Sequence, residues 1–371
     1  MALLRQAIAV LAFTTLPVFA EDSTTPVRVG VMAPLTGPAA SSGRWIQQGI
    51  DLAKAELKAS GLPEPIIEIQ DDMCTSQGGM NAYQALRAHD IKLIIGPVCN
   101  AAAVPILVPA QRDGVTLITT GIPSQAVQDG GPAVFTILAP IRSVAATITE
   151  FASKQGKSHF AVLYTPDEFG EENFRALSAA ASSLGAQIVH AEQFVPGSLD
   201  FKPFILKSKE KQADAYLIAA YVGQYAAFLK QTAQLGSGLP LFAVPTFQSA
   251  ELAALQPPPE FKMFYSYPGA GVDEKVEALR QQYLKLHPEE GSAVPMHVGS
   301  GRDALLLLAK ALHDCASTES ACIRSKLGLT AGFSGMNGTI TLDQAGNNEQ
   351  SATVEIRELS NGRYGSPAAN H

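Results

Sequence analysis

Few side chains in this sequence stand where they could do chemistry. Asp71 and Asp72 are adjacent carboxylates at the end of a predicted strand, and His297 opens a predicted helix beside Pro295-Met296. Adjacent residues at a strand end point to opposite sides, so we interpret the two aspartates as groups that fix a loop rather than as an acid–base pair. His297 is the histidine most suited to face a cleft, and a helix-capping or solvated role is the plainer alternative.

The sequence lacks the motifs that enzymes built from alternating strands and helices commonly carry. It has no GxGxxG after the first predicted strand, no Walker loop and no GxSxG elbow. We therefore expect no catalysis and no cofactor. An exported hydrolase or other enzyme remains the weaker alternative.

Four cysteines allow three disulfide connectivities. Cys74 follows the end of one predicted strand and Cys99 the end of the next, whereas Cys315 and Cys322 flank a polar turn. Neighbouring strand ends can meet, so we expect the pairs 74–99 and 315–322. A four-cysteine metal site is the alternative, which the absence of any CxxC disfavours, and we expect no metal.

The first twenty residues have the composition of an export signal. Met1–Ala20 has one basic residue, an apolar core from Ala7 to Leu16 and small residues before Glu21, whereas a buried N-terminal helix is the alternative. The formal net charge of −7, without a Lys/Arg cluster, argues against a nucleic-acid partner. We expect an exported chain that starts at Glu21.

Two short apolar runs at 91–124 are the elements that would position a site. Ile91 to Ile95 is rich in β-branched residues and stops at Gly96-Pro97, as a buried parallel strand does. Val115 to Thr119 repeats the pattern and is followed by small or hydroxyl residues. The carboxyl ends of adjacent parallel strands are where open α/β sheets bind ligands, so we expect a pocket for a small anionic group there.

The strand–helix alternation runs twice along the chain, once from Val27 and again after Ala139-Pro140, which predicts two doubly wound parallel-sheet lobes with a cleft between them. Ala139-Pro140, Tyr267-Pro268 and 332–335 are the predicted passages between lobes. Two terminal strands, 337–342 and 353–359, are expected to pair. The predicted bounds are 1–20 for the signal, 21–139 and 268–332 for the first lobe, and 140–267 and 333–371 for the second lobe and the C-terminal tail.

Several motifs in this order resemble one protein family. They are VRVGVMAPLTGPAASSG, IQDDMC followed by IIGPVCNAAAVP, the ITTG turn and LYTPDEFGEENF. They resemble the periplasmic solute-binding proteins of branched-chain amino-acid ABC transporters, the group of the leucine/isoleucine/valine-binding protein, over about Val27 to Leu359. The resemblance implies a type I periplasmic-binding fold with a three-strand hinge, no catalysis, a monomer that binds a small molecule, and an inner-membrane permease as partner. It also supports the 74–99 disulfide.

The resemblance also implies where a ligand binds. The position that holds a ligand carboxylate in the family is Asn100 here, and the second such position falls at Pro123 with Ser124 beside it. The acidic position that meets a ligand ammonium is Thr246 here, with no acid nearer than Glu251. The expected ligand-binding residues are Ser42, Val98, Asn100, Gly121, Ile122, Pro123, Ser124, Phe169, Tyr221 and Thr246, with the two aromatics covering the ligand.

The missing acid at Thr246 bears on the ligand class. Burying an ammonium without a counter-charge is costly, so carboxylic acids or amides should bind better than free leucine or valine. We expect an amino acid or a related carboxylate or amide, captured for a transporter. A binding protein that signals to a membrane receptor is the alternative.

Overall fold

The computed structural model describes residues 27–195, 197–255, 261–269, 274–291, 294–350 and 352–367. The predicted signal segment and the start at Glu21 lie outside the described residues. In the described part of the chain, no helix combines the length and apolar character needed to cross a membrane.

Five parallel strands form the first sheet, and the apolar residues of four of them are buried because helices cover both faces, whereas those of the edge strand β2 are exposed or half-buried. They are β1 (Arg28–Ala33), β2 (Ile66–Asp71), β3 (Leu93–Ile95), β4 (Thr116–Thr119) and β5 (Val134–Thr136). Their order across the sheet is β2-β1-β3-β4-β5. The strand order reverses beside β1 and β3, which is the ligand-binding edge of a doubly wound sheet.

Seven strands form a second, mixed sheet, and two short strands form a separate hairpin. In chain order they are β6 (His159–Tyr164), β7 (Gln187–Gln193), β8 (Ala215–Ala219), β9 (Leu241–Ala243), β10 (Met263–Pro268), the hairpin β11 (Phe333–Gly335) and β12 (Gly338–Ile340), then β13 (Val354–Ser360) and β14 (Arg363–Gly365). The order in the second sheet is β14-β13-β10-β9-β8-β6-β7. Strands β6 to β10 are parallel, whereas β13 pairs antiparallel with both β10 and β14.

Helices fill most of the connections, as expected for parallel strands. They are α1 (Ala40–Ala59), α2 (Ser76–Ala88), α3 (Asn100–Ala103), α4 (Leu107–Arg112), α5 (Gln125–Gln128), α6 (Ile141–Lys154), α7 (Glu168–Ser183), α8 (Lys202–Glu210), α9 (Val222–Gln234), α10 (Ala250–Ala254), α11 (Glu274–Leu286), α12 (Met296–Cys315) and α13 (Ser320–Gly328). Short 3₁₀ turns lie at Val104–Ile106, Pro245–Phe247 and Pro288–Glu290.

Side-chain caps determine where several helices near the strand ends begin. Thr75 accepts a hydrogen bond from the N–H of Gly78 at the start of α2, and Ser124 accepts one from Val127 at the start of α5. Asp167 accepts one from Gly170 and so fixes the start of α7 directly after β6. These caps satisfy helix amides that have no intrahelical partner.

Both predicted disulfides are confirmed. The Cα atoms of Cys74 and Cys99 lie 5.3 Å apart, and those of Cys315 and Cys322 lie 6.0 Å apart. Asp71 fixes the loop beside the first disulfide, because its carboxylate accepts hydrogen bonds from Leu35 N, Met73 N and Thr36 Oγ1.

The expected pairing of two terminal strands is wrong. Strand β12 pairs with β11, and β13 joins β10 of the second sheet. Asn348 explains the difference, because its backbone N–H bonds to Thr136 O and its side-chain amide to Ile137 O, which holds this segment against the edge of the first sheet.

The chain between β12 and β13 also bears on the lobe bounds. Ile340 and Leu342 pack in the core beneath the first sheet, as does Phe333 at its margin. We therefore propose that the third passage between lobes lies after Asn348 rather than at 332–335. The other bounds stay as predicted from the sequence.

Candidate functional site

A cavity of about 90 Å³ lies where the carboxyl ends of strands from both sheets face each other. The loops after β3 and β4 contribute one wall, and the loops after β6, β8 and β9 contribute the opposite wall. The first turns of α1, α6 and α12 close the remaining sides. The lining is mostly apolar, as in pockets for small organic molecules.

Eight of the ten ligand-binding residues expected from the sequence line this cavity. They are Ser42, Val98, Asn100, Gly121, Ile122, Phe169, Tyr221 and Thr246. Pro123 and Ser124 lie instead in a neighbouring surface depression together with Glu172 and Arg175. Ser124 is occupied structurally, since its Oγ caps α5 and its N–H bonds to Asn100.

Gly121 is required at the junction of the two strand-end loops. A Cβ at this position would overlap the carbonyl oxygen of Val98. The close approach brings the loops after β3 and β4 together as one continuous wall. The N–H groups of Gly121 and Ile122 form no hydrogen bond with another described residue, so they are available to a ligand carbonyl or carboxylate.

The Asn100 side chain is engaged by the protein itself. Its Nδ2 donates to Ile122 O at 3.2 Å and to Glu172 Oε2 at 3.1 Å, and its Oδ1 accepts from Ser124 N at 3.0 Å. Glu172 belongs to α7 beside the second sheet, so this bond crosses the cleft. The expected role of Asn100 as a carboxylate-binding amide therefore competes with a contact that joins the two walls.

Glu172 lies part-buried at this contact. Burial and then the negative charge of Glu168 raise the pKa of Glu172 to about 6, although hydrogen bonds from Ser124 and Asn100 and the charge of Arg175 act in the opposite direction. The carboxyl group therefore takes up a proton more readily when the walls are in contact.

Asp167 brings a carboxylate to the cavity from the second sheet. Its Oδ1 accepts hydrogen bonds from Gly170 N at 3.0 Å and Thr165 Oγ1 at 2.6 Å, and its Oδ2 accepts one from the Tyr221 hydroxyl at 2.9 Å. The Tyr221 ring stacks on Phe169 with centroids 5.2 Å apart. Burial and the adjacent Asp167 raise the pKa of Tyr221, so the phenol keeps its proton and donates it to the carboxylate.

His297 lies deep in the same cavity, with 5% of its surface exposed. Its Nδ1 is buried without a hydrogen-bond partner among the described residues, and its ring stacks near Trp45 at a centroid distance of 6.3 Å. Burial lowers the pKa of His297 to about 4, against a smaller opposite effect of the Thr120 carbonyl. The imidazole is therefore neutral at physiological pH and presents a polar group without a positive charge.

The charge of the lining differs from the sequence expectation. Thr246 carries no acid, as expected, and its hydroxyl donates to Ala220 O at 2.7 Å. The acids that reach the cavity are Asp167 and Glu168, and no lysine or arginine is found among the described residues that line it. Two acids that the comparison at Thr246 did not anticipate therefore lie at the cavity.

Sequence reasoning missed several lining residues, among them Asp167, Glu168, Asn173, Ile141 and Met296. The sequence does contain a signal for Asp167. It follows the buried strand β6, and aspartate at such a position commonly caps the next helix at the ligand-binding edge of a sheet. In the part of the chain that the structure describes, no group of three or more His, Cys, Asp and Glu side chains is placed to hold a metal ion.

Known proteins share both the sequence pattern and the fold. The family model described as "Periplasmic binding protein" matches residues 26–363. The Leu/Ile/Val-binding protein homolog 3 of Brucella melitensis is 26% identical over 215 residues, which are 57% of this chain and 58% of that protein. This chain thus aligns with little more than half of that relative's length.

Two solved structures illustrate the likeness in fold. One is the substrate-binding protein of a branched-chain amino acid transporter from Streptococcus pneumoniae in complex with isoleucine (TM-score 0.81, 20% identity, covering 92% of this chain and 98% of that one). The other is an ABC transporter solute-binding protein from R. palustris in complex with benzoate (TM-score 0.80, 17% identity, covering 93% and 98%). Both show the expected type I periplasmic-binding fold, and their ligands differ in chemical class.

Proposed function

The chain belongs to the family described as periplasmic binding protein. On this premise we propose that it is not an enzyme but the extracytoplasmic solute receptor of an ABC importer. It captures a small amino acid or a related carboxylate or amide between its two lobes. It then delivers the compound to a permease in the inner membrane. Its place of action is the periplasm, reached by way of the signal segment 1–20.

The observation that carries the proposal is the position of the cavity between the carboxyl ends of two separate sheets. Val98 and Gly121 come from the first sheet, and Phe169 and Tyr221 from the second. A ligand there would touch both lobes, so binding would favour the arrangement in which they meet. A receptor needs this property, because its ligand-bound form must differ in shape from its free form.

Ligand retention tests the proposal. The full chain is expressed in its host with export intact and purified without denaturation, and a native mass spectrum is recorded. We expect a small-molecule adduct of one per chain that is lost on unfolding. The identified compound is then offered to host cells with and without the gene for this chain, and uptake should depend on the gene.

Failure would take either of two forms. If no compound is retained and none from a broad amino-acid, carboxylate and amide panel raises the melting temperature, the receptor function is excluded. If a compound binds and its uptake is independent of this chain, a sensory role replaces the transport role.

A further inference from the structure

The cavity is negatively charged. Asp167 and Glu168 line it, Glu172 stands at the adjoining cross-cleft contact, and the described lining has no basic side chain. His297 does not offset these acids, because it is buried and neutral at physiological pH. A ligand whose only charged group is a carboxylate would meet like charges there, from the solvent-exposed Asp167 and the half-buried Glu168.

Asp167 has capacity for one more hydrogen bond. A carboxylate offers about four acceptor positions on its two oxygens. Three are used here, two on Oδ1 by Gly170 and Thr165 and one on Oδ2 by Tyr221. Because these contacts hold the side chain in place, a further donor would bind to a fixed oxygen without having to order the carboxylate first.

A second group points to a ligand with polar atoms of its own. His297 is 5% exposed, lines the cavity, and has an Nδ1 without a partner among the described residues. Buried polar atoms are normally hydrogen-bonded. A neutral imidazole nitrogen can serve as donor or acceptor, which suits the uncharged or dipolar part of a ligand rather than its cationic end.

Resting on the proposed function, we infer that Asp167 determines specificity by accepting a hydrogen bond from a positively charged nitrogen of the ligand. The receptor then selects amino acids or amines over carboxylic acids that lack such a nitrogen. The acid absent at Thr246 is thereby replaced from a different loop, the one between β6 and α7.

A ligand series on the unmodified protein gives the first test. The series built on the leucine side chain consists of L-leucine, L-leucinamide, 4-methyl-2-oxopentanoate and 4-methylpentanamide, and a second series is built on the phenylalanine side chain. Affinities are measured by calorimetry at neutral pH. We expect the compounds with an amino group to bind roughly 10- to 150-fold more tightly than the oxo acid of the same series, the range for one hydrogen bond to a charged group.

Variants identify the residue responsible. Asp167→Asn removes the charge and keeps the helix cap, since asparagine caps helices about as well as aspartate. Glu168→Gln is the matched control, because it removes one charge from the same cavity and the same helix turn. We expect Asp167→Asn to abolish the preference for amino compounds and Glu168→Gln to leave most of it.

The outcomes separate the inference from the proposed function. Tighter binding of the oxo acid than of the amino compounds, or equal losses of selectivity in the two variants, overturns the role of Asp167 while leaving the receptor function standing. The ranking on the unmodified protein decides the question even where Asp167→Asn fails to fold. If no compound in either series or in the broad panel binds at millimolar concentration, the receptor function itself fails, and the inference fails with it.

Discussion

At the scale of single residues, the hydrogen bond from Asn100 to Glu172 ties the two walls of the cleft together. Asn100 stands at the end of the first sheet, and Glu172 on a helix of the second lobe. Contact between the walls removes the Glu172 carboxyl from water beside another acid, Glu168. Burial of Glu172 therefore links closure of the cleft to protonation, and the hydrogen bond from Asn100 opposes this effect in part.

The link predicts that ligand affinity depends on pH. The pKa of Glu172 is about 6 with the walls in contact, against an ordinary value of 4.5. Because the raised pKa belongs to the closed form, protonation of Glu172 favours closure. This contribution to ligand affinity is fully present below about pH 4.5 and is lost as the pH rises through 6. Affinity should therefore rise between pH 7 and pH 5, by less than the roughly tenfold per pKa unit of a fully buried group.

Two variants isolate this contribution. Glu172→Gln should flatten the pH profile and bind at least as tightly as the unmodified protein at pH 7, because the buried charge is gone. Glu171→Gln, which alters the next residue on the same helix, should keep the profile. Calorimetric titrations at several pH values measure both, and an unchanged profile in Glu172→Gln would show that another group takes up the proton.

Residue-level prediction from the sequence placed residues at the cavity where a residue's position is fixed by its own strand. Val98 and Gly121 follow directly from strand ends, and the aromatic pair Phe169 and Tyr221 from their place in two βα loops. Comparing family positions one at a time does not lead to Asp167, whose only local signal is its place as the cap of α7. It reaches the cavity because two separate sheets face each other, which is a property of the fold and not of the neighbourhood of Thr246.

At the scale of elements, the wall of the site depends on the contact between the loops after β3 and β4. Gly121→Ala should force these loops apart, because its Cβ would overlap Val98 O, and overpacking of this kind costs about 1–3 kcal/mol. Ligand affinity should fall as well. Gly223→Ala is the control, since no heavy atom lies near its Cβ and alanine favours the helix by up to about 1 kcal/mol. Urea unfolding measures the stability of both variants. Equal stabilities would contradict the claim that the two loops need a glycine at position 121.

The two disulfides should differ in their effect on stability. The 74–99 bond closes a loop with a sequence separation of 25 and the 315–322 bond one of 7. The chain-entropy model gives about 3.5 and 2.4 kcal/mol respectively. Paired Cys→Ser variants, compared by urea unfolding, test whether the 74–99 bond stabilises the fold more than the 315–322 bond. Replacing Cys74 and Cys99 should also weaken ligand binding, because both cysteines line the cavity. Unaltered binding would show that this disulfide does not support the site.

Element-level prediction succeeded for parallel strands and failed for the C-terminal hairpins. Runs such as Ile91 to Ile95, ended by Gly-Pro, identify buried strands by local composition alone. The partner of a terminal strand is decided by distant residues. Asn348 binds the chain to Thr136 and Ile137, and this contact, which no local pattern reveals, directs β13 to β10.

At the scale of the whole molecule, we propose that three short passages of chain connect the two lobes. Two are predicted at Ala139-Pro140 and Tyr267-Pro268, and we propose the third after Asn348. Arg142 lies beside the first passage and donates to Gln125 and Gln128 on the other side of the cleft. These polar contacts at the mouth can break and re-form with little change in the two cores, as hinge closure requires.

Small-angle X-ray scattering tests the central claim, that a solute binds between the lobes and holds them together. The protein is freed of retained ligand by unfolding, dialysis and refolding, and is measured before and after saturation with the compound identified by native mass spectrometry. We predict a smaller radius of gyration in the complex, because closure brings the lobes together around the ligand. An unchanged radius at proven saturation would contradict a receptor that closes on its ligand.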